Sequence, residues 1–264
     1  LGLTEVIQGH PGSVPWLMSA GALGIVLFFF VEARAESPMV DLRLFKDRLF
    51  AFGNLSLLLN ALARGALMFL MTFAFQGFDG NSPLAAGFKM LPLSLAIIVV
   101  GPIAGRMSDR IGSRELSSGG LLVTAISLVI LARSGLAAYP VVAVGLALAG
   151  IGNGLFNSPN TSAVMGAVPP DRRGVAASTR TLLFNTGQLF SMSISFAILA
   201  GVMGASQLSG FLAGADVTAA AAGHAAFAHG LSEAFTVSAA LSVVAAGLSA
   251  MRGTAGSPRT IAAR

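Results

Sequence analysis

The chain contains no cysteine among its 264 residues. This removes disulfide frameworks, thiolate metal sites and cysteine nucleophiles, and leaves the redox compartment unreadable. Charge is scarce as well: 16 Lys and Arg with 11 Asp and Glu make up 10% of the sequence, against about 25% in an ordinary soluble domain. So few charges cannot clothe a water-facing globule of this size, so most of the surface must face lipid. Histidine occurs three times, too thinly for a His-rich metal site. No metal and no cofactor are expected. The net charge of +5 would suggest nucleic acid only if the basic residues shared one solvated face. They lie between apolar blocks instead, so no nucleic-acid partner is expected.

What the sequence has is long apolar runs. It is 55% hydrophobic, with a mean hydropathy of +0.80, and a hydrocarbon core of ~30 Å is crossed by about 20 apolar residues in a helix. Seven runs fit: residues 13–31, 49–75, 83–107, 116–131, 141–165, 181–203 and 226–251, the third carrying Pro92 and Pro102. The expected fold is all-α, a polytopic membrane protein of seven transmembrane helices whose first partner is the lipid bilayer.

Basic residues alternate between the connections. Arg34, Arg43, Lys46 and Arg48 follow the first span, Arg106, Arg110 and Arg114 the third, Arg172, Arg173 and Arg180 the fifth, and Arg252, Arg259 and Arg264 the last. The turn at Asp79 and the stretch 204–225 carry none. Translocated short loops are depleted of Lys and Arg, so these 13 of 16 basic residues place the N-terminus outside and the C-terminus in the cytoplasm. Residues 1–33 then form an external N-terminus and first helix, 34–48 a cytoplasmic linker, 49–252 a six-helix unit and 253–264 a cytoplasmic tail. An odd helix count, an external start and Leu1 in place of methionine predict a fragment that follows a missing N-terminal half. A signal peptide is not visible, because nothing basic precedes Ser13 and the first apolar run is too long.

Between the third and fourth spans the chain reads Gly101-Pro102-Ile103-Ala104-Gly105-Arg106-Met107-Ser108-Asp109-Arg110-Ile111-Gly112-Ser113-Arg114. Gly101 and Gly105, four apart, leave a smooth stripe for close helix packing. Asp109 is placed to cap the following helix or to pair with an Arg. Gly112 permits a tight reversal, and Arg110 and Arg114 hold the turn at anionic headgroups. A positive-inside turn accounts for these features alone. The run also resembles motif A of the major facilitator superfamily, G-x-L-a-D-r-x-G-r-k. Gly105, Asp109, Arg110 and Gly112 match it and Arg114 takes its last basic position, whereas Met107 replaces Leu and Ser113 departs from the basic residue.

Two further stretches carry the resemblance. The segment Pro38-Met39-Val40-Asp41-Leu42-Arg43-Leu44-Phe45-Lys46-Asp47-Arg48-Leu49-Phe50 is similar to the linker that enters the C-terminal half of the fourteen-helix drug:proton antiporter branch. Gly150-Ile151-Gly152-Asn153-Gly154, through Pro159 to Pro170-Asp171-Arg172-Arg173-Gly174, resembles the next-to-last cytoplasmic connection and the helix before it. The fold this implies is half of a twelve-helix core, built as two inverted three-helix repeats. In that frame the loop of Gly105, Asp109, Arg110, Gly112 and Arg114 is a gate, and the first span is the second of two extra helices.

Polar side chains inside a membrane need a partner, a cavity or a route to the interface. Arg64 lies 15 residues above Leu49 and 11 below Phe75, with Asn60 one turn earlier. Their face either lines a water-filled substrate pathway or ties helices together through carbonyls. Asn153, Asn157 and Asn160 are spaced to form one stripe of amides, interrupted by Pro159, which leaves the Leu155 carbonyl without its helical donor. Asn185 and Gln188, with Ser191 and Ser195, continue the pattern. These rows serve equally as substrate ligands or as interhelical glue. The glycines at 150, 152 and 154 lie inside an apolar helix, so close packing explains them better than a nucleotide loop. Lys89 can snorkel to the outer interface, and Glu233 is an available partner for Lys89 or Arg64. No carboxylate falls at mid-membrane depth in the seven spans, so the acid of any proton relay is expected in the missing half.

No enzyme is expected. The H-E-x-x-H of metalloproteases is absent, and His224 and His229 fall at the external end of the last span. A retinal-type pump needs a Lys in that span, and residues 226–251 contain none. The resemblance implies a secondary active transporter, most simply proton-coupled multidrug efflux by alternating access. Its partners would be protons, an amphipathic or apolar small molecule and the missing N-terminal half. The alternative is an exporter of an endogenous metabolite or antibiotic.

Overall fold

The protein is described here by a computed structural model covering residues 41–78, 80–135, 138–203 and 221–253, together with helical positions between Ser19 and Phe30. The first predicted span, the Asp79 turn, the stretch 204–220 and the tail from 254 lie wholly or largely outside the described residues, and with them Arg34, Arg259 and Arg264. Beyond the helical positions between Ser19 and Phe30, seven bounded α-helices and no strand occur among the described residues. They are α1 (Arg48–Phe73), α2 (Pro83–Lys89), α3 (Leu91–Ile111), α4 (Ser113–Ser134), α5 (Tyr139–Gly166), α6 (Arg173–Met203) and α7 (Ala221–Met251). All but the short α2 lie in segments long and apolar enough to cross a membrane.

The boundaries follow local chemistry. Asp47 caps α1, its Oδ1 accepting from the Phe50 amide at 3.0 Å, and a π-helical turn at Ala74–Phe78 extends the helix. The third predicted span is broken at Met90, because Pro92 has no N–H for the Phe88 carbonyl, and it runs on to Ile111 rather than stopping at Met107. The sixth starts at Arg173 and not Thr181. Its first residues are small and polar, so hydropathy does not flag them, yet they are compatible with helix. A 3-10 turn at Pro170–Arg172 feeds them directly into α6. Helix α5 is continuous through Pro159.

The helices form two interlocked groups: α5 lies against α3 and α4, α1 lies against α6 and α7, and the groups meet chiefly through α7 on α4. In chain order the long helices fall into the triplets α1, α3, α4 and α5, α6, α7. The first helix of each triplet is therefore lodged with the other two of its counterpart. Because α1 and α5 run in opposite directions, the triplets are inverted relative to one another, as the resemblance implies.

Glycine sets the closest approaches. A Cβ on Gly154 would stand 3.0 Å from Val100 of α3, and one on Gly120 would stand 2.7 Å from the Gly152 carbonyl oxygen. Gly150 and Gly154 thus seat α3 on one side of α5, while Gly152 seats α4 on another. Ser127 Oγ also donates to the Gly145 carbonyl at 2.7 Å. Leu67, Leu70, Leu93, Leu131, Phe227 and Phe235 fill the core toward one end, and Leu49, Phe50, Val164 and Val168 fill the other. The second end gathers the basic connections. Arg172 Nη1 meets Asp41 Oδ2 at 2.9 Å, joining the linker to the turn before α6.

Enclosure is uneven. Only 11% of the α3 span and 22% of the α6 span are buried, against 44–56% for the others. The second helix of each triplet therefore presents a broad face to its surroundings.

Candidate functional site

An open cleft of about 470 Å³ runs along the α3–α5 seam, lined by Ile97 and Gly101 of α3 and by Asn153, Asn157, Thr161 and Ser162 of α5, among others. Asn153, Asn157 and Thr161 are one turn apart, so they stack along a single face. Thr161 Oγ1 donates to the Asn157 carbonyl at 2.7 Å, which fixes the hydroxyl at the cleft wall.

Asn160 does not join this row, contrary to the expected stripe of three amides. Its Nδ2 donates to the Gly53 carbonyl of α1 at 3.1 Å, and its Oδ1 accepts from Arg252 Nη1 at 2.6 Å. Gly53 permits this, since a Cβ there would stand 3.2 Å from Asn160 Oδ1. The same pairing sets the register of the antiparallel α1 and α5. Seven residues along each helix, Asn60 comes level with Asn153.

Asn60 is buried with its Oδ1 unpartnered, and Arg64, one turn on, has a buried Nε without a hydrogen-bond partner. Glu233, offered from sequence as a partner for Lys89 or Arg64, lies instead 3.5 Å from His229, one turn away on α7, and is not bonded to Arg64. Glu233 does not reach Lys89 either. The Lys89 ammonium sits 5.3 Å from the Phe75 ring centre and 5.8 Å from that of Tyr139, a cation–π arrangement. Gln188 of α6 is half-buried beside Gly65, and Asn185 is exposed. Ser191 acts as interhelical glue, donating to the Leu62 carbonyl of α1, whereas Ser195 bonds within α6, donating to the Ser191 carbonyl at 2.8 Å.

Two arginines counted from sequence among the basic residues of the cytoplasmic side are enclosed. Arg252 is fully buried. Its Nη1 reaches Asn160, and its Nη2 reaches the Ser113 carbonyl and, at 3.0 Å, Ser117 Oγ. Burial pushes the guanidinium down to about 10, with Glu115 opposing and Arg114 and Arg180 reinforcing the shift; it remains cationic at neutral pH. Arg180 of α6 is 8% exposed, and its Nη2 donates to Thr161 Oγ1 at 2.8 Å. Neighbouring residues of α5, Asn160 and Thr161, thus each hold an arginine, one just past the end of α7 and one in α6. For Arg180 the sequence carried a signal: the helix-compatible run from Arg173 places it two turns inside α6. For Arg252, nothing distinguishes it from the other tail arginines.

In the loop with the motif resemblance, Gly112 has φ +103°, and a Cβ there would come 2.5 Å from Glu115 Oε2. The positive φ demands glycine at the reversal, whereas the flexible Glu115 carboxylate could move aside. Gly105 seats α3 against Ser158, 3.0 Å from where its Cβ would lie. Asp109 does not cap α4. It belongs to the last turn of α3, Gly112 occupies the cap position, and Asp109 is exposed without a hydrogen bond or ion pair to a described residue. Arg110 closes α3, where a cation suits the negative end of the helix dipole, and Arg114 sits in the first turn of α4.

The chain matches the family model described as Major Facilitator Superfamily over residues 53–260. It is 32% identical over 189 residues to the multidrug resistance protein Stp of Mycobacterium tuberculosis, covering 72% of this chain and 34% of that protein. It is 31% identical over 193 residues to the methyl viologen resistance protein SmvA of Salmonella typhimurium, covering 71% and 39%. It is 31% identical over 182 residues to the riboflavin transporter RibZ of Clostridioides difficile, covering 66% and 40%. The matched region amounts to little more than a third of the length of these relatives. Six apolar spans, two interlocked helix triplets and a family match over most of its length make this chain a multi-pass membrane protein of the major facilitator superfamily.

Proposed function

We propose that the chain forms the C-terminal portion of a secondary active transporter that expels amphipathic small molecules in exchange for protons. The observation that carries the reading is the α3–α5 cleft. Asn153, Asn157, Thr161 and Ser162 line an open surface in the middle and one end of apolar helices, and amides and hydroxyls in that place are costly against acyl chains. That face therefore lines water, with Asn60, Arg64 and Gln188 at the same depth and Asn185 nearer the basic end. The names of the drug-resistance relatives support efflux, and the resemblance supports the fourteen-helix branch.

In this reading residues 34–48 are a cytoplasmic linker, 49–252 the six-helix half and 253–264 a cytoplasmic tail, with the basic end inside. The half rocks against the remainder of the protein about the cleft. The loop of Gly105, Asp109, Arg110, Gly112 and Arg114 latches the cytoplasmic side, and the unpaired Asp109 carboxylate is available for that contact. The described acids sit at helix ends or pair locally, so the proton-carrying acid belongs outside the described residues. Movement of a metabolite is the second reading, favoured by the riboflavin transporter at 31% identity.

The test is ethidium and riboflavin movement, each driven by an imposed proton gradient, in vesicles holding the full-length protein. Asn153→Leu with Asn157→Leu should slow transport by about tenfold or more while leaving the fold intact, as the loss of two buried hydrogen bonds to a transported group predicts. Undiminished transport in that variant would remove the cleft from the pathway.

A further inference from the structure

The buried arginine beside the cleft lacks an anion. Arg180 is 8% exposed, its Nη2 rests on the neutral Thr161 hydroxyl at 2.8 Å, and its Nη1 is buried without a hydrogen-bond partner. The acids described at this end are all placed otherwise. Asp41 pairs with Arg172 at 2.9 Å, Asp171 lies 3.9 Å from the Arg172 Nε, and Asp47 caps α1. Asp109 is exposed on α3, and Glu115 is exposed beside the Gly112 turn. The neighbouring Arg252 differs, because its guanidinium is spread over acceptors from α4 and α5. A buried guanidinium held by one hydroxyl is costly unless a charge of opposite sign completes it.

Arg180 lies behind the cleft wall and does not line it, and Thr161 joins the two. It both accepts from Arg180 and lines the open volume, while Asn153, Asn157 and Ser162 supply neutral polar groups and Ile97 an apolar wall. We propose that Arg180 and Thr161 form an anion subsite at one end of the cleft, recognising the carboxylate of an amphipathic organic acid whose apolar body lies along α3. The proposal rests on the cleft being the substrate pathway. The ligand's carboxylate takes the guanidinium as a charge-assisted partner, with Thr161 holding the side chain in place. The subsite therefore selects organic acids over their neutral esters.

The test compares two probes of one shape, 1-pyrenebutyrate and its methyl ester, by fluorescence titration of the full-length protein in nanodiscs. The wild type should bind the acid about tenfold more tightly than the ester, the size expected of one charge-assisted contact. Arg180→Gln should reduce that ratio to near unity with ester binding unchanged, and Arg180→Lys should retain part of it. Thr161→Val alters an exposed side chain, so it should keep the fold and lower the ratio by about threefold, the loss of one tethering hydrogen bond. A ratio unchanged in both Arg180→Gln and Thr161→Val overturns the subsite. So does wild-type binding of the ester alone. Gradient-driven ethidium movement with neither pyrene probe bound would overturn the subsite and leave the transport reading standing. Loss of ethidium movement as well would remove both.

Discussion

Arg252 and Arg64 are both arginines among apolar helices, and the protein treats them in opposite ways. Arg252 donates to Asn160, to the Ser113 carbonyl and to Ser117, so one side chain ties the end of α7 to α4 and α5. Through Asn160 the tie extends to Gly53 of α1. Both guanidiniums leave a buried Nε without a partner, but Arg64 makes no hydrogen bond to a described residue, and Asn60 beside it has an unpartnered Oδ1. The contrast separates two uses of buried polarity. A guanidinium bonded to several elements holds a bundle together, whereas one left short of acceptors marks a surface that awaits water, substrate or another part of the protein.

The largest expected effect falls on the arginine bonded to several elements. Arg252→Met should lower stability by about 3–5 kcal/mol, because it strands Asn160 and the Ser113 carbonyl in a buried network. Thermal or denaturant unfolding in detergent measures it, and an unchanged midpoint would erase the contrast. Gly120→Val follows at about 1–3 kcal/mol, since the added carbons meet the α5 backbone at Gly152 and Phe156, which cannot yield. Breaking the exposed Arg172–Asp41 pair with Arg172→Ala should cost only about 0.2–1 kcal/mol, less at high salt. Arg64→Gln stands last in stability, with a change within about 0.5 kcal/mol, yet it should slow gradient-driven transport by about tenfold or more. A large stability loss at Arg64 with transport preserved would move it into the same class as Arg252.

The sequence made the spans legible because hydropathy over 20 residues integrates many side chains, and one misplaced residue changes little. Boundaries were less legible where composition was mute. The start of α6 carries Gly, Ala, Ser and Thr, which hydropathy reads as connection, and the break at Met90 depends on one missing N–H at Pro92. The site was legible in part. Asn153 and Asn157 share the cleft as their spacing implied, and Gly112 stands at the reversal with positive φ. Asn160 left the row because one acceptor, the Gly53 carbonyl, and one donor, Arg252, claimed it from elsewhere in the bundle, and no spacing within α5 reveals that. The burial of Arg252 was hidden for the same reason, while that of Arg180 was signalled only by the helix-compatible run from Arg173. A positive-inside count treats every arginine near a helix end as solvated, while the structure turns two of them inward onto consecutive residues of α5.

The central claim is that the face bearing Asn153 and Asn157 looks onto water while the outer face of α3 looks onto lipid. These 264 residues contain no cysteine, so once any cysteine elsewhere in the full-length protein is replaced by serine, single cysteines report without background. Cells expressing the full-length protein with either Asn157→Cys or Ile98→Cys are treated with a polar, lipid-insoluble thiol reagent that reaches both sides of the membrane. The account predicts rapid labelling at position 157 and almost none at 98. Equal labelling, or labelling at 98 alone, would contradict it.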